Sequence, residues 1–171
     1  MDNRAHSNYR LAATCAAVLL GASASPVARA TPNACAFVSA ADVAAATGVA
    51  ATGGNLSQVD PTSGTASCMY VSGALRISVT VHEYPSGAQA RQEVANQLQD
   101  ARGHDGPGQK TTVEAGVGDA AFSSTLSEGF EMSSAMSAHG PVTVLVGIVG
   151  KGAAAIPHDR LRALMARAAS K

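Results

Sequence analysis

The placement of the cysteines constrains this chain more than any other feature. There are three, Cys15, Cys35 and Cys68. Cys15 lies in an N-terminal stretch that reads as a secretory leader. "MDNRAHSNYR" carries Arg4 and Arg10, the apolar run "LAATCAAVLLGASA" follows, and "SPVARA" ends with Ala28 and Ala30 at the small-x-small positions a signal peptidase accepts. The run is about a dozen residues, whereas a membrane-spanning helix needs about twenty. Cleavage is expected after Ala30, which discards residues 1–30 and leaves 31–171 as one domain, periplasmic or secreted. Cys15 has Val18, Leu19 and Leu20 still to follow it, unlike a lipid-accepting cysteine, so it is expected to leave with the leader. In an oxidising compartment Cys35 and Cys68 then allow one intramolecular pairing. Such a bridge would stabilise the domain by about 3 to 4 kcal/mol. The alternative is two separate buried thiols.

A segment of about 140 residues can bury a core without many staples. The chain has no Trp and three Phe, so that core must come from Val, Leu, Ile, Met and Ala. Loss of the leader removes three arginines and one aspartate. The remainder is slightly acidic and has no basic cluster, which argues against nucleic acid or an anionic membrane as the main partner.

Local signals place the elements. In "CAFVSAADVAAATGVA", Ser39 and Asp42 form a capping-box pattern and Gly48 is a helix stop. "ATGGNLSQVDPTSGTAS" reads as a loop holding at most a short strand around Leu56 to Val59. "SCMYV", a Ser72-Gly73 turn and "ALRISVTVHEY" read as two strands. In the second, Leu75, Ile77, Val79 and Val81 alternate with Arg76, Ser78, Thr80 and His82. In "SGAQARQEVANQLQDAR", Ala90, Val94, Leu98 and Ala101 form one helical face. Three further strands follow, over "KTTVEAG", "DAAFSSTL" and "GFEMSSAMSAH". "VTVLVGIVG", apolar on both faces, reads as a central strand. A last helix starts near Pro157 and carries the stripe Leu161, Leu164, Met165, Ala168. The expected class is α+β: one mainly antiparallel sheet with amphipathic helices on one face. Strands followed by a helix recur in both halves, which suggests an internal pseudo-repeat.

The motifs that carry chemistry elsewhere are weak here. "AGVGDAAF" lacks the third glycine and the following helix of a dinucleotide fingerprint. Gly116, Gly118 and Asp119 are read as a turn, with Asp119 bonding to nearby backbone. His82, His104, His139 and His158 show no zinc-ligand spacing, and no G-x-S-x-G elbow is present. No metal, cofactor or catalytic residue is expected. A His/acid/Ser site assembled in space stays open, because triads are defined in three dimensions. Met69, Phe130, Met132 and Met136 could line an adaptable apolar surface. Core packing is the rival account, since the last three share parity on one strand.

"CAFVSAADVAAATG", "SCMY" and "GVGDAAF", with a late strand and a C-terminal helix, resemble a broad group of small exported bacterial proteins of unknown function, best known as actinobacterial lipoproteins. The resemblance implies a Cys35–Cys68 bridge and a structural role for Gly116, Gly118 and Asp119. It implies no catalytic residues. The expected function is a non-catalytic binding domain of the cell envelope, acting on an unknown protein or small molecule as a sensor, inhibitor or immunity factor. The alternatives are a small envelope hydrolase and a carrier of a small apolar ligand.

Overall fold

Leu75, Ile77, Val79 and Val81 are buried on one side of a strand whose other side carries Arg76, Ser78, Thr80 and His82. That alternation sets the plan of the molecule, seen in a computed structural model that describes residues 32–171. The leader, its cleavage point after Ala30, and Cys15 lie outside the described residues. In chain order the elements are α1 (Ala34–Phe37), α2 (Ala40–Thr47), β1 (Ala51–Asp60), β2 (Thr65–Ser72), β3 (Leu75–Glu83), α3 (Gly87–Gly103), β4 (Gln109–Val113), β5 (Ala120–Leu126), β6 (Met132–His139), β7 (Val142–Val149) and α4 (His158–Ala169). One 3₁₀ turn, Ala153–Ala155, precedes α4. The strands form one antiparallel sheet in the order β1-β2-β3-β7-β6-β5-β4. The class is α+β, and β7 is the middle strand.

The helices start where the capping chemistry says they should. Ser39 caps α2, and Asp42 reaches back to the Ser39 amide; Gly48 ends the helix in the left-handed region at φ 77°. Ser86 caps α3. Pro157 sits at the cap position of α4, one residue ahead of the first helical turn.

Both faces of the sheet carry helix. On one face, α1, α2 and α4 cover the main core, where Leu161, Leu164 and Met165 meet Ile77, Val79, Val146 and Ile148. On the other face, α3 covers a smaller core of Ala90, Val94, Phe122, Met136 and Ala138. The expectation of helices on one face therefore holds for three of the four. Phe122 and Met136 have the opposite parity to Ala121 and Ala135, so β5 and β6 present apolar side chains both ways and need cover on both sides. The hairpin-plus-helix pattern does recur, as β2–β3–α3 and β6–β7–α4. The two helices nonetheless fall on opposite faces, whereas a two-fold axis exchanging β3 with β7 would put them on the same one.

The segment read as a loop is β1, a ten-residue edge strand. Its register on β2 slips between Gly53 and Asn55 and again between Leu56 and Gln58. These bulges break the two-residue alternation by which a strand is recognised in sequence. Gly54 also lies against Tyr70, where an added Cβ would come within 3.1 Å of the ring.

Cys35 and Cys68 are joined, with Cα atoms 5.1 Å apart, and the bond ties α1 to β2. Tyr70 donates its hydroxyl proton to the Val38 carbonyl on the same side of the sheet.

Candidate functional site

Residues 93, 97, 100 and 104 recur at intervals of four, three and four, the spacing of one side of a helix. In α3 that side carries Glu93, Gln97, Asp100 and, at the C-cap, His104. It flanks the Ala90–Val94 seam and forms the wall of a groove of about 570 Å³. The floor runs from the margin of the core under α3, at Phe122 and Met136, onto the sheet that α3 leaves uncovered. Phe122, Met132, Met136, Leu145 and Val149 supply its apolar surface. Ser78, Thr80, Ser124, Ser134 and Thr143 interleave hydroxyls with them, and Gly147 leaves the centre without a side chain. The pairing explains the layout. Met136 lies beside Leu145, and Leu145 beside Thr80; Ser134 lies beside Gly147, and Gly147 beside Ser78. A mainly apolar row, Phe122, Met136 and Leu145 ending in Thr80, thus lies next to a hydroxyl row, Ser124, Ser134 and Ser78 around Gly147.

One end of the groove is closed by His82 and Tyr84. His82 Nδ1 lies 2.7 Å from Thr65 Oγ1, and its ring centroid is 4.2 Å from that of Tyr84. Burial raises the Tyr84 phenol above its ordinary pKa, and the charge of Glu93 raises it further. Gln97 Nε2 donates to Glu93 Oε1 at 2.9 Å and so steadies that carboxylate.

A second constellation lies on the opposite face, where α4 begins. Glu114 is buried, with its side chain 3% exposed. Ser123 Oγ donates to Glu114 Oε1 at 2.6 Å, and His158 Nε2 meets the same oxygen. Arg162 Nε stands 3.6 Å from Oε2, and Arg162 Nη2 donates to the Ala115 carbonyl at 2.7 Å. A hollow of about 590 Å³ beside it is lined by Ser123, Lys110, Thr112 and His158. This is a serine, an acid and a histidine in contact, but in the wrong order for a nucleophile. The carboxylate stands between the other two, so the serine proton points at Glu114 and not at the imidazole that would have to accept it. The arrangement is a clasp between the β4–β5 turn and the start of α4.

The "AGVGDAAF" segment is that turn. Gly116 and Gly118 take φ of 74° and 57°. A Cβ at Gly118 would fall 2.3 Å from the Ala138 carbonyl oxygen. Asp119 Oδ2 accepts from the Gly140 amide at 2.8 Å, which links this turn to the β6–β7 hairpin.

The methionine set divides. Met132 and Met136 line the groove. Met69 is on the same face but out on β2, where it is 37% exposed. Phe130 precedes β6 and is 57% exposed, so its parity with Met132 does not place it on that strand. The histidines also separate: His82 and His104 line the groove, His158 joins the clasp, and His139 ends β6 exposed. Among the described residues no group of three or more His, Cys, Asp or Glu is placed to hold a metal ion. Glu114, Ser123 and Arg162 carried no local sequence signal. The groove did leave two, the 93/97/100/104 spacing and the hydroxyl-rich side of β3.

No protein-family model matches the chain, and no curated protein matches it. The resemblance drawn above therefore rests on its short motifs. Among solved structures, the fold is similar to the extracellular domain of PknH from Mycobacterium tuberculosis, with a TM-score of 0.44 and 16% identity. The match covers 62% of this chain and 62% of that one, less than two thirds of either.

Proposed function

We propose that this is an exported, non-catalytic binding domain of the cell envelope whose ligand site is the groove between α3 and the open face of the sheet. The observation that carries the reading is the groove itself. A hollow of about 570 Å³ falls within the range of small-molecule sites. Its floor pairs apolar side chains with hydroxyls, the mixture that holds an amphipathic molecule and orients it. The idea of a carrier beside Met132 and Met136 becomes part of this reading through Met132, which is half-buried at the groove; Met136 reaches the groove only at its margin and otherwise packs in the core under α3. A hydrolase is disfavoured by the order of contacts at Glu114.

The test is a titration of the folded protein with Nile red, a neutral apolar dye. Saturable one-to-one binding with blue-shifted emission is expected. Ser134→Phe, which fills the floor, should abolish it while the thermal melt shows a folded protein. Binding that never saturates, or that survives Ser134→Phe in a folded variant, would remove the groove as the site. Should that variant unfold, Leu145→Arg at the more exposed edge of the floor reads the same quantity.

A further inference from the structure

We infer that the groove selects a small amphipathic cation, an ammonium group carried on an apolar chain; this rests on the groove being the ligand site. The side chains that line it include two carboxylates, Glu93 and Asp100, and no lysine or arginine. Among the described residues neither carboxylate has a Lys or Arg within ion-pair distance. Arg76, the next residue after Ser78 on that side of β3, is exposed and lies outside the lining. The two acids are about two helical turns apart on α3, so they present a negative rail along the wall and not a single point.

The charge pattern decides among headgroups. A carboxylate, sulfate or phosphate seated over Met132, Met136 and Leu145 would face Glu93 and Asp100 with no lysine or arginine to offset them, and would be repelled while losing its hydration. A neutral headgroup would gain the hydroxyls of Ser78, Thr80 and Ser134 but nothing from the rail. An ammonium gains both. It also lies close to an aromatic ring, since Tyr84 shares the Glu93 end of the groove and a cation is attracted to such a ring face. The apolar chain then runs over the methionines, whose flexible thioethers adapt to its shape. The volume suits a small molecule of this kind.

The experiment displaces Nile red with three probes of equal chain length: octylammonium, octanol and octanoate, in buffer of low ionic strength. Octylammonium is expected to bind about tenfold more tightly than octanoate, with octanol between them, the scale that two partly solvated carboxylates produce. Salt at about 1 M should shrink the preference, because it screens charges beyond a few ångströms. The double variant Glu93→Gln, Asp100→Asn should lose it at low salt. If octanol displaces the dye but the ammonium shows no advantage over the carboxylate, the groove stands and the cation selectivity falls. The same follows if the advantage persists in the double variant. If none of the three displaces bound dye, the ligand site and its selectivity fall together.

Discussion

Asp42 shows how much one side chain can join. Its Oδ2 accepts from the Ser39 hydroxyl at 2.7 Å and the Ser39 amide at 3.0 Å, and its Oδ1 from Arg167 Nη1 at 2.6 Å. The Ser39 hydroxyl, the Ser39 amide and then Arg167 hold its pKa down at about 2, against an ordinary 3.8. A carboxyl depressed on folding stabilises the fold at any pH above its unfolded value, and that contribution is lost as pH falls through the folded value. Asp42→Ala should therefore cost about 1 kcal/mol at neutral pH, the usual scale of a helix cap. The difference between variant and parent should narrow between about pH 4 and pH 2 in urea titrations. A gap of constant size over that range would show that the carboxylate charge is not what stabilises α2.

At the scale of elements, the clasp at Glu114 joins the end of β4 to α4. The carboxylate is buried, while its partners His158 and Arg162 have side chains 54% and 49% exposed. This asymmetry makes a specific expectation. Removing both partners leaves the buried carboxyl without His158 and Arg162, at a cost of about 3 kcal/mol or more. Glu114→Gln leaves two largely exposed partners and keeps an acceptor for the Ser123 hydroxyl, at about 1 to 3 kcal/mol for the weakened bonds. The double variant His158→Ala, Arg162→Ala should therefore melt below Glu114→Gln. The reverse order would mean that His158 and Arg162 contribute little to holding the carboxyl group. The same pairs separate what sequence could and could not reveal about α4. Its buried stripe follows from the spacing of Leu161, Leu164, Met165 and Ala168. Its attachment to Glu114 does not, because the partners are 44 residues apart and neither sits in a motif.

For the whole molecule, the bridge between Cys35 and Cys68 closes a sequence separation of 33 residues around α2, β1 and the first half of β2. Replacing both cysteines with serine should cost about 3 to 4 kcal/mol, chiefly by freeing the unfolded chain. Denaturant titration of the two forms measures it. A loss well under 1 kcal/mol would mean that packing of α1 against the sheet already holds this corner. The layering of the molecule creates the groove. Three helices and the main core occupy one face, and a lone helix on the other covers only part of a seven-stranded sheet. The groove opens where that cover ends, so the candidate site is a consequence of uneven cover and not of any motif.

Short-range physics was written openly in this chain. The cap of α2, the apolar face of α3, the alternation of β3, the doubly apolar β7 and the stripe of α4 each depend on residues within a few positions of one another, and each was legible. Tertiary structure alone decided that β1 is a strand, because its bulged register exists only against β2. It also decided which face α3 would cover, and that Glu93 and Asp100 would look down on Met132 and Met136. Those outcomes depend on strand order, and strand order is settled by the burial of whole faces, which no local window of residues records.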